Sequence, residues 1–228
     1  MFKSINFNRL VSMLFFIITA LYINCSAVAN ADCVVKEKWL NKNYDYKVKY
    51  RDINNISTDF LQLVYSNSSI FCSYQERIGR IYDFYFQCLS PNKFEWVIHG
   101  LWGESETAYI KGITDKHPRS CQGNLEPLPL DVIKPYLCMS PGTKLLQGEW
   151  EKHGACDFDT AEEYFAKMLE LYNRFKTPPV KLNARQAVIW MKRNNSELKN
   201  KWLYRTGSEF GVCFDTDFNT ISCPKRSN

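Results

Sequence analysis

Phe94-Glu95-Trp96-Val97-Ile98-His99-Gly100-Leu101-Trp102 is a near-continuous apolar run with β-branched Val97 and Ile98 at its middle. It reads as a buried central strand. A histidine inside such a strand is, taken alone, a core residue with satisfied nitrogens. Two neighbours point elsewhere. Gly100 removes a side chain and allows a ligand or a backbone to come close, and Trp102 offers a flat apolar face.

Working outward, residues 60–65 (Phe-Leu-Gln-Leu-Val-Tyr) read as a second strand, closed by Ser66-Asn67-Ser68-Ser69. The aromatic-rich stretch 81–89 predicts another strand. Residues 32–55 are polar and tyrosine-rich and predict an irregular arm. Residues 104–127 carry few periodic apolar positions and predict a long surface excursion of the kind that builds binding sites. The second half is more helical. Residues 145–154 predict one helix. Thr160-Ala161-Glu162-Glu163 is a capping box that starts a helix through 175, with Tyr164, Phe165, Met168, Leu169, Tyr172 and Phe175 on one face. Asn183-Ala184-Arg185-Gln186 caps a further helix through Val188, Ile189, Trp190 and Met191. Phe210, Val212 and Phe214 alternate as a strand, 215–219 turn, and Ile221 begins the return. Without regular βαβ spacing the class is α+β: a curved, mostly antiparallel sheet packed with several helices.

The 228-residue chain has one targeting segment. Lys3 and Arg9 precede an apolar run from 10 to 23, and Ser26-Ala27-Val28-Ala29-Asn30-Ala31 supplies small residues at cleavage spacing. Residues 1–31 therefore read as a secretory signal peptide, too short in its apolar part for a membrane span. Residues 32–228 are expected to form one exported domain, free of the membrane once the signal is gone. Periplasm, extracellular space, vacuole and lysosome all remain open. Without Lys3 and Arg9, 27 of the 29 Lys and Arg face 24 Asp and Glu, a net charge of +3. That allows a polyanionic partner without demanding one. Cys25 leaves with the signal. Cys33, Cys72, Cys88, Cys121, Cys138, Cys156, Cys213 and Cys223 remain, an even set that reads as four disulfides in an exported chain. No C-x-x-C pair suggests a metal cluster instead. Cys213 and Cys223 face each other across the last hairpin.

A second histidine lies in Glu149-Trp150-Glu151-Lys152-His153-Gly154-Ala155-Cys156. On a helix, Glu149, Lys152 and His153 project from one face. A solvated Glu–Lys face is the plain alternative, but a disulfide at Cys156 would fix His153 in place.

Together the two segments resemble the signatures of the ribonuclease T2 family. One reads approximately I-H-G-L-W-P and here is Ile98-His99-Gly100-Leu101-Trp102-Gly103. The other reads approximately H-E-W-x-K-H-G-T-C and here is Gly148-Glu149-Trp150-Glu151-Lys152-His153-Gly154-Ala155-Cys156. The ending Val212-Cys213 with Cys223-Pro224 resembles the family's C-terminal disulfide hairpin. The resemblance implies a T2-like fold and a metal-independent, cofactor-free endoribonuclease acting on single-stranded RNA as a monomer. His99 and His153 match the family's acid–base pair, Glu149 and Lys152 the groups that stabilise the phosphate, and Trp102 an aromatic of the base site. The same resemblance pairs Cys121 with Cys156 and Cys72 with Cys88, leaving Cys33 to Cys138. Glu104 and Tyr109 are candidate contacts to a base edge by position. Gly103 replaces the family's proline, and Gly148 stands where many relatives carry a third histidine. His117 is expected at the surface with no role.

The chemistry fits the residue types. RNA carries its own nucleophile in the 2′-hydroxyl, so one neutral and one protonated imidazole suffice to take that proton and to protonate the leaving 5′-oxygen. His153 is assigned as base and His99 as acid. DNA lacks the nucleophile and should not be cut. Two rivals stand beside this reading. One is a family member used as a binding module with catalysis lost. The other is a metalloenzyme ligated by His99, His153 and Glu149, which the neighbouring Lys152 disfavours.

Overall fold

In a computed structural model, residues 33–49 and 53–227 are described; the expected signal peptide lies outside them. The strands are β1 (Phe60–Asn67), β2 (Trp96–Glu104), β3 (Tyr204–Thr206), β4 (Glu209–Phe214) and β5 (Thr220–Ile221). They form an antiparallel sheet in the order β2-β1-β4-β3, with β5 on β4. The helices α1 (Ser68–Arg77), α2 (Tyr85–Cys88), α3 (Glu106–Lys111), α4 (Leu130–Ile133), α5 (Thr143–Glu149), α6 (Ala155–Asp157), α7 (Ala161–Asn173) and α8 (Ala184–Asn194) complete an α+β architecture.

β1, not β2, is central. β2 ends the hydrogen-bonded order, yet Trp96, Val97, Ile98 and Leu101 are buried. Its outer edge is covered rather than paired with a strand. The Tyr164 hydroxyl of α7 accepts from Leu101 N at 3.1 Å and donates to Leu101 O at 3.0 Å, and Ile98 N donates to Met139 O at 2.9 Å. The apolar run thus reports burial correctly and sheet position incorrectly, because edge and centre look alike once a helix lies over the edge.

Local sequence sets most helix starts. Thr160 accepts from Glu163 N, and Asn183 and Gln186 exchange both bonds of a capping box, each cap worth about 1 kcal/mol. The strand expected at 81–89 is instead a 3₁₀ turn, Ile81–Phe84, running into α2. The Cys72–Cys88 disulfide ties it to α1, and Phe71 and Phe84 meet edge-on at 4.9 Å. Its aromatics pack against a helix, so strand propensity loses to tertiary context. The expected turn at 66–69 is likewise displaced. Ser66 and Asn67 continue β1, and Asn67 caps α1. The Asn67 amide donates to Val180 O at 2.7 Å and is buried.

Four disulfides close the chain: Cys33–Cys138, Cys72–Cys88, Cys121–Cys156 and Cys213–Cys223. Among the described residues no helix is long and apolar enough to cross a membrane.

Candidate active site

His99 sits on an irregularity of β2. The register runs Val64↔Gly100 and then Tyr65↔Ile98, so β2 holds one residue more than β1, and that residue is His99. A bulge of this kind bends the strand and re-aims one side chain. The His99 ring leaves the pleat toward a cavity of about 660 Å³ that Glu149, Lys152 and Glu209 also line.

The second segment enters from α5. The helix expected across 145–154 is α-helical only to Glu149. Trp150–Gly154 is a π-helical turn, a widened form that recurs at functional sites. Glu149 and His153 turn inward and are buried, whereas Lys152 projects into the cavity. Two ties hold this turn. Ser120 N donates to Lys152 O at 2.9 Å, and Cys156 is bonded to Cys121.

The Glu149 carboxylate joins the two segments. His99 Nε2 stands 3.6 Å from Oε1, and His153 Nε2 stands 3.9 Å from Oε2. Trp102 Nε1 donates to Oε2 at 2.8 Å. The same indole lies nearly parallel on the His153 ring, with centroids 5.3 Å apart and planes at 16°, and edge-on to His99 at 5.2 Å. Gly100 makes this convergence possible. A Cβ there would run into the Glu149 carboxylate and come within 2.6 Å of Trp102 Nε1.

The two imidazoles sit in opposite electrostatic surroundings. Burial alone would lower the His99 pKa. The hydrogen bond from Nδ1 to Glu209 Oε1 at 2.7 Å and the charges of Glu149 and Glu209 outweigh it and raise the ring above 6.5, against Lys152. His153 is held well below 6.5, first by burial and then by Arg119, Lys152 and His99. Both its ring nitrogens are buried without a hydrogen-bond partner. Burial pushes the Glu149 carboxyl up, while His99, the Trp102 N–H and Lys152 pull it down without cancelling the rise.

Comparison with known proteins agrees with this geometry. The model of the Ribonuclease T2 family matches residues 58–186, a stretch that contains both segments. This chain belongs to the ribonuclease T2 family. A probable ribonuclease of Haemophilus influenzae is 38% identical over 206 residues, covering 89% of this chain and 71% of that protein. Ribonuclease Oy of Magallana gigas is 28% identical over 179 residues, covering 61% of this chain and 79% of its own. The solved structure of trichomaglin, described as a novel S-like ribonuclease, superposes with a TM-score of 0.53 at 19% identity, over 75% of this chain and 94% of that one. That last likeness speaks to the fold. The enzyme is a ribonuclease of the T2 type.

Within this T2 ribonuclease the two proposed base-edge contacts do not reach the cavity. Glu104 is buried at 4% exposure, with Arg119 forked onto both its oxygens at 3.0 and 3.1 Å and His117 Nδ1 at 2.5 Å. A carboxylate so engaged has no free edge for a base. Tyr109 is buried edge-on against Phe60 at 5.3 Å, beneath Arg226. His117 is no surface residue, being 7% exposed and paired with Glu104. It belongs to a buried ionic cluster that pins the 104–119 loop, so that stretch is less a free excursion than the sequence suggests. At Gly148 an added Cβ would meet the Tyr46 ring at 2.9 Å, so Tyr46 occupies the space a side chain there would enter. Nothing in the residues around Glu209 singles it out. Only strand pairing brings it to His99.

Proposed function

We propose that this T2 ribonuclease is an exported, metal-independent endoribonuclease that cuts single-stranded RNA through the ribose 2′-hydroxyl, with His153 as base and His99 as acid. The observation that carries this reading is the one carboxylate, Glu149, which both imidazoles face from opposite oxygens within 4 Å. Two titrating rings gathered around one point can serve the two ends of one phosphodiester.

The neutral His153 ring takes the 2′-hydroxyl proton, and the 2′-oxygen attacks phosphorus. Lys152 meets the negative charge that grows on the phosphoryl oxygens. Glu149, whose carboxyl is raised by burial, donates a hydrogen bond to a phosphoryl oxygen when protonated and orients both rings when ionised. The protonated His99 ring gives its proton to the departing 5′-oxygen. The product is a 2′,3′-cyclic phosphate, which water then opens to a 3′-phosphate with the roles of the rings reversed.

In this structure Trp102 lies flat against His153. Productive RNA moves the indole off His153, and the freed indole face receives a base. Stacking is tolerant of base identity, so broad base tolerance follows. DNA, without the nucleophile, is not cut. Export is supported by the four disulfides, which persist in oxidising compartments.

Incubation with a defined oligoribonucleotide in the presence of chelator tests the reading. Mass analysis is expected to find 2′,3′-cyclic phosphate and 5′-hydroxyl ends, with the matching oligodeoxynucleotide intact. Intact RNA, or ends bearing a 5′-phosphate, would contradict it.

A further inference from the structure

The bulge that frees His99 from the β ladder leaves its ring to be fixed by something else, and the contact that fixes it comes from across the sheet. Glu209 opens β4. It stands opposite Ser66 of β1, which stands opposite Val97 of β2, so the three share one row over the sheet. Cross-strand partners face the same side. The middle member is a small serine, and over it the His99 ring and the Glu209 carboxylate meet at 2.7 Å, Nδ1 to Oε1.

The backbone at Glu209 is tightly held. Thr206 pairs with Glu209 across a two-residue turn in which Gly207 adopts φ +48°. Such short turns fix strand register. The Glu209 side chain is 20% exposed and that of His99 35%, so the pair is partly withdrawn from solvent and its charge is only partly screened.

We propose that Glu209 is a positioning residue for the reaction: its carboxylate holds a proton on His99 Nδ1, orients the ring and directs Nε2 at the scissile linkage. This inference rests on His99 being the acid. With Nδ1–H donated to Glu209, Nε2 carries the transferable proton. That proton passes to the 5′-oxygen as the bond from phosphorus to that oxygen breaks, while the 2′-hydroxyl proton goes to His153. Afterwards the Glu209 bond keeps the neutral ring in the Nδ1–H tautomer, so Nε2 is the free acceptor that activates water in the second step. The other charged groups facing His99 come from the opposite wall. Glu149 stands 3.6 Å from Nε2 and supports the protonated ring, and Lys152 opposes it. Glu149 lies at the atom that meets substrate. Glu209 lies at the other nitrogen, where it can act throughout the cycle without contacting RNA.

The test compares Glu209→Gln, His99→Ala and the double variant on two substrates. One is a dinucleoside monophosphate, whose leaving 5′-oxygen needs a proton. The other is a nucleoside 3′-(4-nitrophenyl phosphate), whose leaving group does not. On the dinucleotide, Glu209→Gln is expected to lower kcat about tenfold or more with KM nearly unchanged. The alkaline limb of its pH–rate profile is expected to move to lower pH. On the activated ester the loss should shrink to about twofold or less, since no general acid is required there. In the His99→Ala background the second substitution should add nothing. Equal losses on both substrates, or an unmoved alkaline limb, would overturn the inference and leave a structural role for Glu209. Undiminished dinucleotide cleavage by His99→Ala would instead overturn the acid assignment on which the inference stands. Thermal unfolding of Glu209→Gln checks that the protein under test is folded.

Discussion

The β2 bulge and the π-helical turn deliver the same side chain into opposite environments. His99 stands at the cavity wall with a carboxylate at each ring nitrogen, Glu209 at Nδ1 and Glu149 at Nε2. His153 lies beneath Trp102 with neither nitrogen bonded and positive charges around it. One setting favours the imidazolium, the other the neutral ring. A single residue type thus meets two environments suited to the two proposed roles, and the difference is made by burial and by where carboxylates stand, not by the motif letters. Each ring also needs a defect in a regular element. An ideal strand would return His99 to the pleat, and an ideal α-turn would change how Glu149, Lys152 and His153 divide between interior and cavity.

The comparison can be broken most severely at its buried end. His153→Ala is expected to reduce kcat/KM by about 10²–10⁴-fold. Thermal unfolding should move little, because the lost ring has unsatisfied nitrogens whose burial is costly. Full activity in initial-rate assays would remove His153 from the site. Next comes the cation that both rings sense, Lys152. Lys152→Met should lower kcat by about 10²–10³-fold while the fold, followed by circular dichroism, is kept. Gly100→Ala attacks the convergence itself. Its methyl group collides with the Glu149 carboxylate and the Trp102 indole, and a displacement of this size should cost about 10²-fold in kcat. Wild-type activity in that variant would show that the shared carboxylate is dispensable.

The pH profile sharpens the comparison instead. On the proposed mechanism, activity needs His153 neutral and His99 protonated. The acid limb follows protonation of His153, which lies well below 6.5, and the alkaline limb follows deprotonation of His99, which lies above 6.5. A broad bell spanning 6.5 is expected in kcat against pH. A narrow peak at about 6.5 would mean that the two rings are not held apart in this way. The smallest effect is expected for Trp102→Phe. It keeps an aromatic face for a base but loses the N–H bond to Glu149, so a loss of about tenfold or less is expected in kcat/KM.

Much of this was legible in the chain. The apolar run around His99, the caps at Thr160 and Asn183 and the two signature segments each depend on neighbours close in sequence. What escaped depends on partners far away. The run at 81–89 reads as a strand until Cys72 and Phe71 claim it for a helical pair. The edge position of β2 is hidden because Tyr164, 63 residues on, satisfies Leu101. Glu104 looks like a candidate for base recognition because it follows Trp102, and only the fold brings Arg119 and His117 onto it. Glu209 has no local signal, since the hydrogen bond that marks it spans 110 residues. The bulge at His99 is likewise a property of two strands in register, which alternation within one strand cannot reveal.

Histidine ring resonances followed by NMR across a pH titration test the central claim most directly. His99 is expected to titrate above the ordinary histidine range and His153 far below it, each assigned by its absence in His99→Ala and His153→Ala. His153 titrating at the higher pH of the two would contradict the assignment of neutral base and protonated acid.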